Sequence, residues 1–140
     1  MIAIDSNVLL RYLLEDEPAQ AKKASKLITG NQTVLISNVV LVETLWTLCG
    51  NKYQISHEEV VATVQSLFAE PNIVFENAQT VWRALGDYIE TNELGKRKID
   101  FPDALILNIG RKASQLSGVT FDGLYTFDRA AQRLPDTYAP

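Results

Sequence analysis

Four short apolar runs, "MIAID" (1–5), "TVLIS" (33–37), "NIVFE" (72–76) and "GLYTFD" (123–128), are separated by stretches whose apolar residues recur at helical spacing. A run of this length bounded by turn residues reads as a buried strand, and strands alternating with amphipathic helices require a parallel sheet. Parallel neighbours need crossover connections, so helices cover both faces. The expected architecture is therefore α/β and three-layered, with a central parallel sheet of four to five short strands between helices.

The helical segments carry their own start and stop signals. "SNVLLRYLLED" places Val8, Leu9, Tyr12 and Leu13 on one stripe, and "PAQAKKASKLI" opens on Pro18 and closes before Gly30 and Asn31. "NVVLVETLWTLCGN" takes Ser37 or Asn38 as its cap and stops at Gly50, and "SHEEVVATVQSLFAE" pairs Ser56 with Glu59 in capping-box spacing. "NAQTVWRALGDYIETN" shows Val81, Leu85 and Tyr88 or Ile89 on one face. After the charged stretch "ELGKRK", "DFPDALILNIGRKASQL" is a further helix, and "RAAQRLP" is expected to be a short closing one. No repeat or linker interrupts the 140 residues, and a single domain over 1–140 is expected.

Composition removes several classes of chemistry. The one cysteine, Cys49, cannot form an internal disulfide and is expected in the core; with the one histidine, His57, it cannot build a zinc site. His57 lies in the polar helix start "ISHEE", where a solvated position is expected, so a Ser-His-Asp or Cys-His set has no natural centre. The net charge of −4 argues against a broadly basic, passive nucleic-acid binder, but is compatible with an enzyme that bridges phosphate through a metal. No apolar run spans a bilayer and "MIAIDSN" lacks a secretory pattern, so a cytoplasmic protein with no membrane association is expected.

In a parallel α/β sheet, ligands bind outside the carboxyl ends of the strands. Two runs end there in aspartate, Asp5 and Asp128, and two helices leaving that edge carry early acids, Glu43 and either Asp100 or Asp103. Any one alone is a cap or a dipole partner. Four recurring at one edge would repel one another without a counter-charge, and oxygen-only donors favour Mg²⁺ or Mn²⁺. The chemistry that follows is phosphodiester hydrolysis, with one ion or two.

The pieces "IDSNVLLRYL", "ISNVVLVETLWTL", "DFPDALILNIG" and "LYTFDRAAQRL" together resemble the PIN-domain ribonucleases, and within them the VapC-type toxins of toxin-antitoxin pairs. By position, the resemblance makes Asp5, Glu43, Asp103 and Asp128 the four catalytic acids. Asp5 and Asp103 are then the direct metal ligands, Asp128 holds a second ion or a water, and Glu43 acts through water or as a base. Asn7 and Thr126 become supporting residues that orient the carboxylates. Pro102 in the first helical turn puts Asp100 at the cap and Asp103 inside the turn, so Asp103 is taken as the ligand and Asp100 as its support.

The resemblance further implies an Mg²⁺-dependent endoribonuclease that cuts RNA, forms a homodimer and is silenced by a cognate antitoxin protein. Arg11, Lys96, Arg97, Lys98 and Arg129 are candidates for RNA backbone contact, with solvated surface charge the plainer reading of "GKRK". A PIN-like fold that no longer cuts but binds RNA or a partner is the alternative. A flavodoxin-like phosphoacceptor is disfavoured, since no glycine-rich phosphate loop follows the first strand.

Overall fold

A computed structural model describes residues 1–92 and 98–140, and the chain divides into two compact units, Met1–Asn77 and Ala78–Pro140. The first unit runs β1 (Ile2–Ala3), α1 (Ser6–Leu14), α2 (Pro18–Ile28), β2 (Val34–Ile36), α3 (Asn38–Cys49), α4 (His57–Ala69) and β3 (Ile73–Phe75). The second runs α5 (Ala78–Asn92), α6 (Phe101–Ser117), β4 (Leu124–Tyr125), a 3₁₀ turn at Ala131–Arg133, and β5 (Thr137–Tyr138).

The three strands of the first unit form one parallel sheet in the order β1-β2-β3. Ile2 pairs with Val34, and Ile36 with Phe75. Val34 and Ile36 are fully buried, as expected of a strand covered on both faces. Extending the register by one or two residues sets Asp5, Ser37 and Glu76 level along the carboxyl edge. The Glu76 N–H donating to the Ile36 carbonyl (3.0 Å) continues the ladder to that level.

Each helix of this unit starts where its sequence signal lies. Ser37 caps α3 by accepting from the Val40 N–H, and Ser56 with Glu59 forms a reciprocal capping box on α4. Leu41, Leu45 and Leu48 of α3 are buried, as are Val60, Val64 and Leu67 of α4. Burying a side chain of this size contributes roughly 1.5–3 kcal/mol, which is why amphipathic stripes decide helix placement here.

In the second unit α5 and α6 pack on each other, with Tyr88 and Phe101 edge to face at 5.7 Å. Val81, Leu85 and Tyr88 are buried, matching the expected stripe, whereas Ile89 is half-buried. β4 pairs in parallel with β5, so the five strands among the described residues are distributed over a three-stranded sheet and a two-stranded ladder. "GLYTFD" contributes only Leu124–Tyr125 as strand, and "RAAQRLP" only a 3₁₀ turn.

Two expectations are corrected. Cys49 is exposed rather than in the core, because it is the last residue of α3, one position past the buried Leu48. His57 is half-buried rather than solvated, as the first residue of α4. Lys96 and Arg97 lie outside the described residues. Among the described residues no helix is long and apolar enough to cross a membrane.

Candidate active site

The first unit offers Asp5 and Glu43. Asp5 follows β1 and caps α1, its Oδ1 accepting from the Val8 N–H at 2.9 Å. One carboxylate oxygen is thus used by the helix, while the group as a whole stays exposed. Glu43 lies in the middle of α3 and is exposed; its backbone carbonyl accepts from the Thr47 hydroxyl. It shares its face with Val39 and Trp46, which are 72% and 70% exposed, so the apolar sequence around it does not bury it.

Asn7 is exposed and lines a cleft of about 250 Å³ between α1 and α2, together with Arg11, Gln20, Lys23 and Leu27. No hydrogen bond from its side chain to a carboxylate is found among the described residues. Arg11 is engaged by Asp16, with Nη1 to Oδ1 at 2.6 Å, which raises the guanidinium and lowers the carboxyl.

A further acid, outside the four-acid pattern, lies at this edge. Glu76, directly after β3, accepts from the Asn38 N–H at 2.7 Å and so holds the first turn of α3, the helix that carries Glu43. The signal was present, because "NIVFE" ends in an acid just as "MIAID" does.

The second unit brings three acids into electrostatic range. Asp100 is the cap residue of α6 and makes no side-chain capping bond; its carbonyl accepts from the Asp103 N–H at 3.1 Å. Asp103 occupies the third helical position, after Pro102, and is half-buried. Burial first, then the charges of Asp100 and Asp128, push its carboxyl up from 3.8 to about 6, while a hydrogen bond with the Asp100 backbone pulls the other way. Asp103 is therefore partly protonated near neutrality, chiefly because burial disfavours its charged form and next because acids lie near it.

Asp128 is fixed by a turn of its own. Its Oδ1 accepts from the N–H groups of Ala130 (2.8 Å) and Ala131 (3.4 Å), and its own N–H donates to Thr126 Oγ1 at 3.0 Å. Thr126 thus orients Asp128 through the backbone rather than by touching the carboxylate. The Thr126 carbonyl accepts from Gln132 Nε2 at 2.8 Å, which closes the turn.

Long-range groups invisible to local sequence reasoning brace this unit. Asn92, buried, donates to the Tyr88 carbonyl and accepts from the Ile99 N–H at 2.9 Å, setting where α6 begins. Arg111 joins Asp87 of α5 (3.2 Å) to Asp136 ahead of β5 (2.7 Å), and Asn108 also donates to Asp87. These bonds tie the helix of Asp103 to the ladder that leads to Asp128.

Among the described residues no three Asp, Glu, His or Cys side chains form a ready-made cation cage. The donor chemistry nonetheless fits a hard divalent ion. The acids supply oxygen only, Asp103 is destabilised as an anion by burial and then by Asp100 and Asp128, and Mg²⁺ needs one or two carboxylates because it keeps several waters.

Comparison with known proteins gives one family. The profile described as PIN domain matches residues 2–134. No match was found among curated proteins. Among solved structures, the chain is similar to VapC20 of Mycobacterium tuberculosis, a sarcin-ricin loop cleaving toxin, at 19% identity and a TM-score of 0.41, covering 91% of this chain and 90% of that one. With the profile spanning nearly every residue, the chain belongs to the PIN domain family.

Proposed function

We propose that this protein is a divalent-metal-dependent endoribonuclease, a single PIN-like domain over 1–140 that acts as the toxin of a toxin-antitoxin pair. The observation that carries the reading is Asp103, held in the first turn of α6 and pushed up to about 6 by burial and by Asp100 and Asp128. A structural acid in a first helical turn has no need of two acidic neighbours, whereas a cation site is built from them.

In this reading Asp5, Asp103 and Asp128 hold Mg²⁺ or Mn²⁺, and Glu43 acts through water or as a base. A bound ion would supply an activated water and neutralise charge on the leaving oxygen. Asp128 arrives pre-set, since two backbone N–H groups fix one of its oxygens. Thr126 positions that residue, Asp100 supports Asp103, and Asn7, which with Arg11 lines the α1–α2 cleft, supports the carboxylates from α1. The protein works in the cytoplasm as a homodimer, and a cognate antitoxin covers the acidic site with a basic side chain.

The test is cleavage of RNA by purified protein in Mg²⁺ or Mn²⁺, abolished by EDTA and by Asp103→Asn. Cleavage that survives both overturns the reading. One observation favours a second reading, a catalytically silent PIN domain that binds RNA or a partner: the described acids do not form a ready cage. RNA retention without cleavage at every metal concentration would select it.

A further inference from the structure

We propose that Tyr125, Phe127 and Tyr138 form an aromatic platform on which unpaired nucleobases of an RNA strand stack next to Asp128. The proposal rests on the nuclease reading for its choice of ligand, and on the β4–β5 ladder for its geometry.

These rings are exposed where a folded chain gains nothing from exposing them. Tyr125 is 58% exposed, Tyr138 48% and Phe127 85%. Tyr125 and Tyr138 are direct partners across the parallel ladder, so they stand on the same face, with ring centroids 5.8 Å apart and planes tilted by 47°. Phe127 follows two residues after Tyr125 and directly precedes Asp128.

The ring of Tyr138 has a built seat. Gly123 has φ +116, and a Cβ placed there would come within 2.5 Å of Tyr138 Cε2 and 2.8 Å of Cδ2. Only glycine both adopts that backbone and lets the ring lie over it. The ladder also locks the platform to the acid: the Thr126 N–H donates to the Tyr138 carbonyl at 3.0 Å, while Thr126 Oγ1 accepts from the Asp128 N–H. Thr126 therefore links the strand of Tyr138 to Asp128 through two hydrogen bonds.

The chemistry of the patch favours nucleobases over a protein partner. Its exposed members are aromatic, not aliphatic, and they alternate with polar and charged neighbours: Thr126, Asp128, the exposed Arg129 and Asp136. A protein interface is centred on a contiguous desolvated core, whereas single-strand recognition uses separate rings with a cation close by for the phosphate. Because every base has a π face, such a platform is tolerant of sequence but demands unpaired bases.

The test is binding of a short oligoadenylate carrying a fluorescent purine analogue, measured in Ca²⁺ and in EDTA, against an abasic strand and a duplex. Phe127→Ala and Tyr138→Ala are each expected to weaken the single strand about tenfold and to relieve quenching of the analogue, while leaving the abasic strand unchanged. Phe127→Trp and Tyr138→Phe are expected to retain binding, which separates loss of a ring from loss of fold. Unchanged affinity in both alanine variants overturns the platform, as does equal weakening of the abasic strand. A dimer that becomes monomeric with RNA affinity intact assigns the rings to a protein interface instead. Stacking without cleavage at any metal concentration would remove the nuclease reading and keep the platform; cleavage with unaltered KM in both alanine variants would do the reverse.

Discussion

The acids of the two units are held in opposite ways. In the first unit Asp5 is an exposed helix cap and Glu43 an exposed mid-helix residue, and each is explained by its own helix. In the second, Asp103 is half-buried, and burial first, then the charges of Asp100 and Asp128, raise its carboxyl toward neutrality. The contrast teaches that position in the sequence pattern does not rank the acids, whereas their electrostatic surroundings do. Strain of this kind collects at functional sites because a ligand relieves it.

The largest expected effect breaks or keeps that contrast outright. Asp103→Asn should lower RNA cleavage at least about 100-fold with the circular dichroism spectrum unchanged, whereas Asp100→Asn should leave measurable activity. Loss in Asp100→Asn with survival in Asp103→Asn would transfer the ligand role to the cap residue. Next in size is Asp5, whose two duties can be separated by substitution. Asparagine caps a helix as well as aspartate does, so Asp5→Asn should abolish cleavage at unaltered Tm. Asp5→Ala should in addition lose about 1 kcal/mol, a few degrees in Tm. If Asp5→Asn cuts normally, Asp5 is a cap and nothing more.

The raised carboxyl of Asp103 gives a smaller, activity-independent measurement. The folded state keeps this proton up to about pH 6, and the unfolded chain releases it near 3.8, so folding binds protons between these values. Its contribution to stability is therefore present below pH 3.8 and lost as pH rises through 6. In EDTA, Asp103→Asn should melt about 2–4 °C higher than the parent at pH 7.5 and equally at pH 3.5, after discounting for solvent screening of a half-exposed group. Added Mg²⁺ should raise the parent's Tm and not the variant's. Identical melting at both pH values would show that Asp103 is not crowded.

Much of this was legible in the sequence, for a physical reason. Strand runs, capping pairs and proline at a first turn act within a few residues, so Ser56 with Glu59, Ser37, and Pro102 ahead of Asp103 could be read locally. Burial at helix ends is not set by local pattern, which is why Cys49 and His57 depart from expectation. Nor are the braces that act across long stretches of chain. Asn92 reaches Ile99 from the end of α5, Arg111 reaches Asp87 and Asp136, and the two-residue β5 is paired with β4. The raised carboxyl of Asp103 is legible only once its burial is known, with the approach of Asp128 adding to it.

The smallest effect sharpens the comparison from the other side, through Glu76. Its carboxylate accepts from the Asn38 N–H at the start of α3, so it serves as a cap delivered from the end of a neighbouring strand. Glu76→Ala should cost about 1 kcal/mol, and Glu76→Gln less, because the amide oxygen still accepts that bond. If the first unit's acids are held mainly by structure, Glu76→Gln should change cleavage by less than about twofold, within the effect of a surface substitution. A much larger loss with an unchanged Tm would mean that Glu76 also serves the reaction, and that the carboxyl edge of β1, β2 and β3 carries more of the chemistry than Asp5 and Glu43 alone.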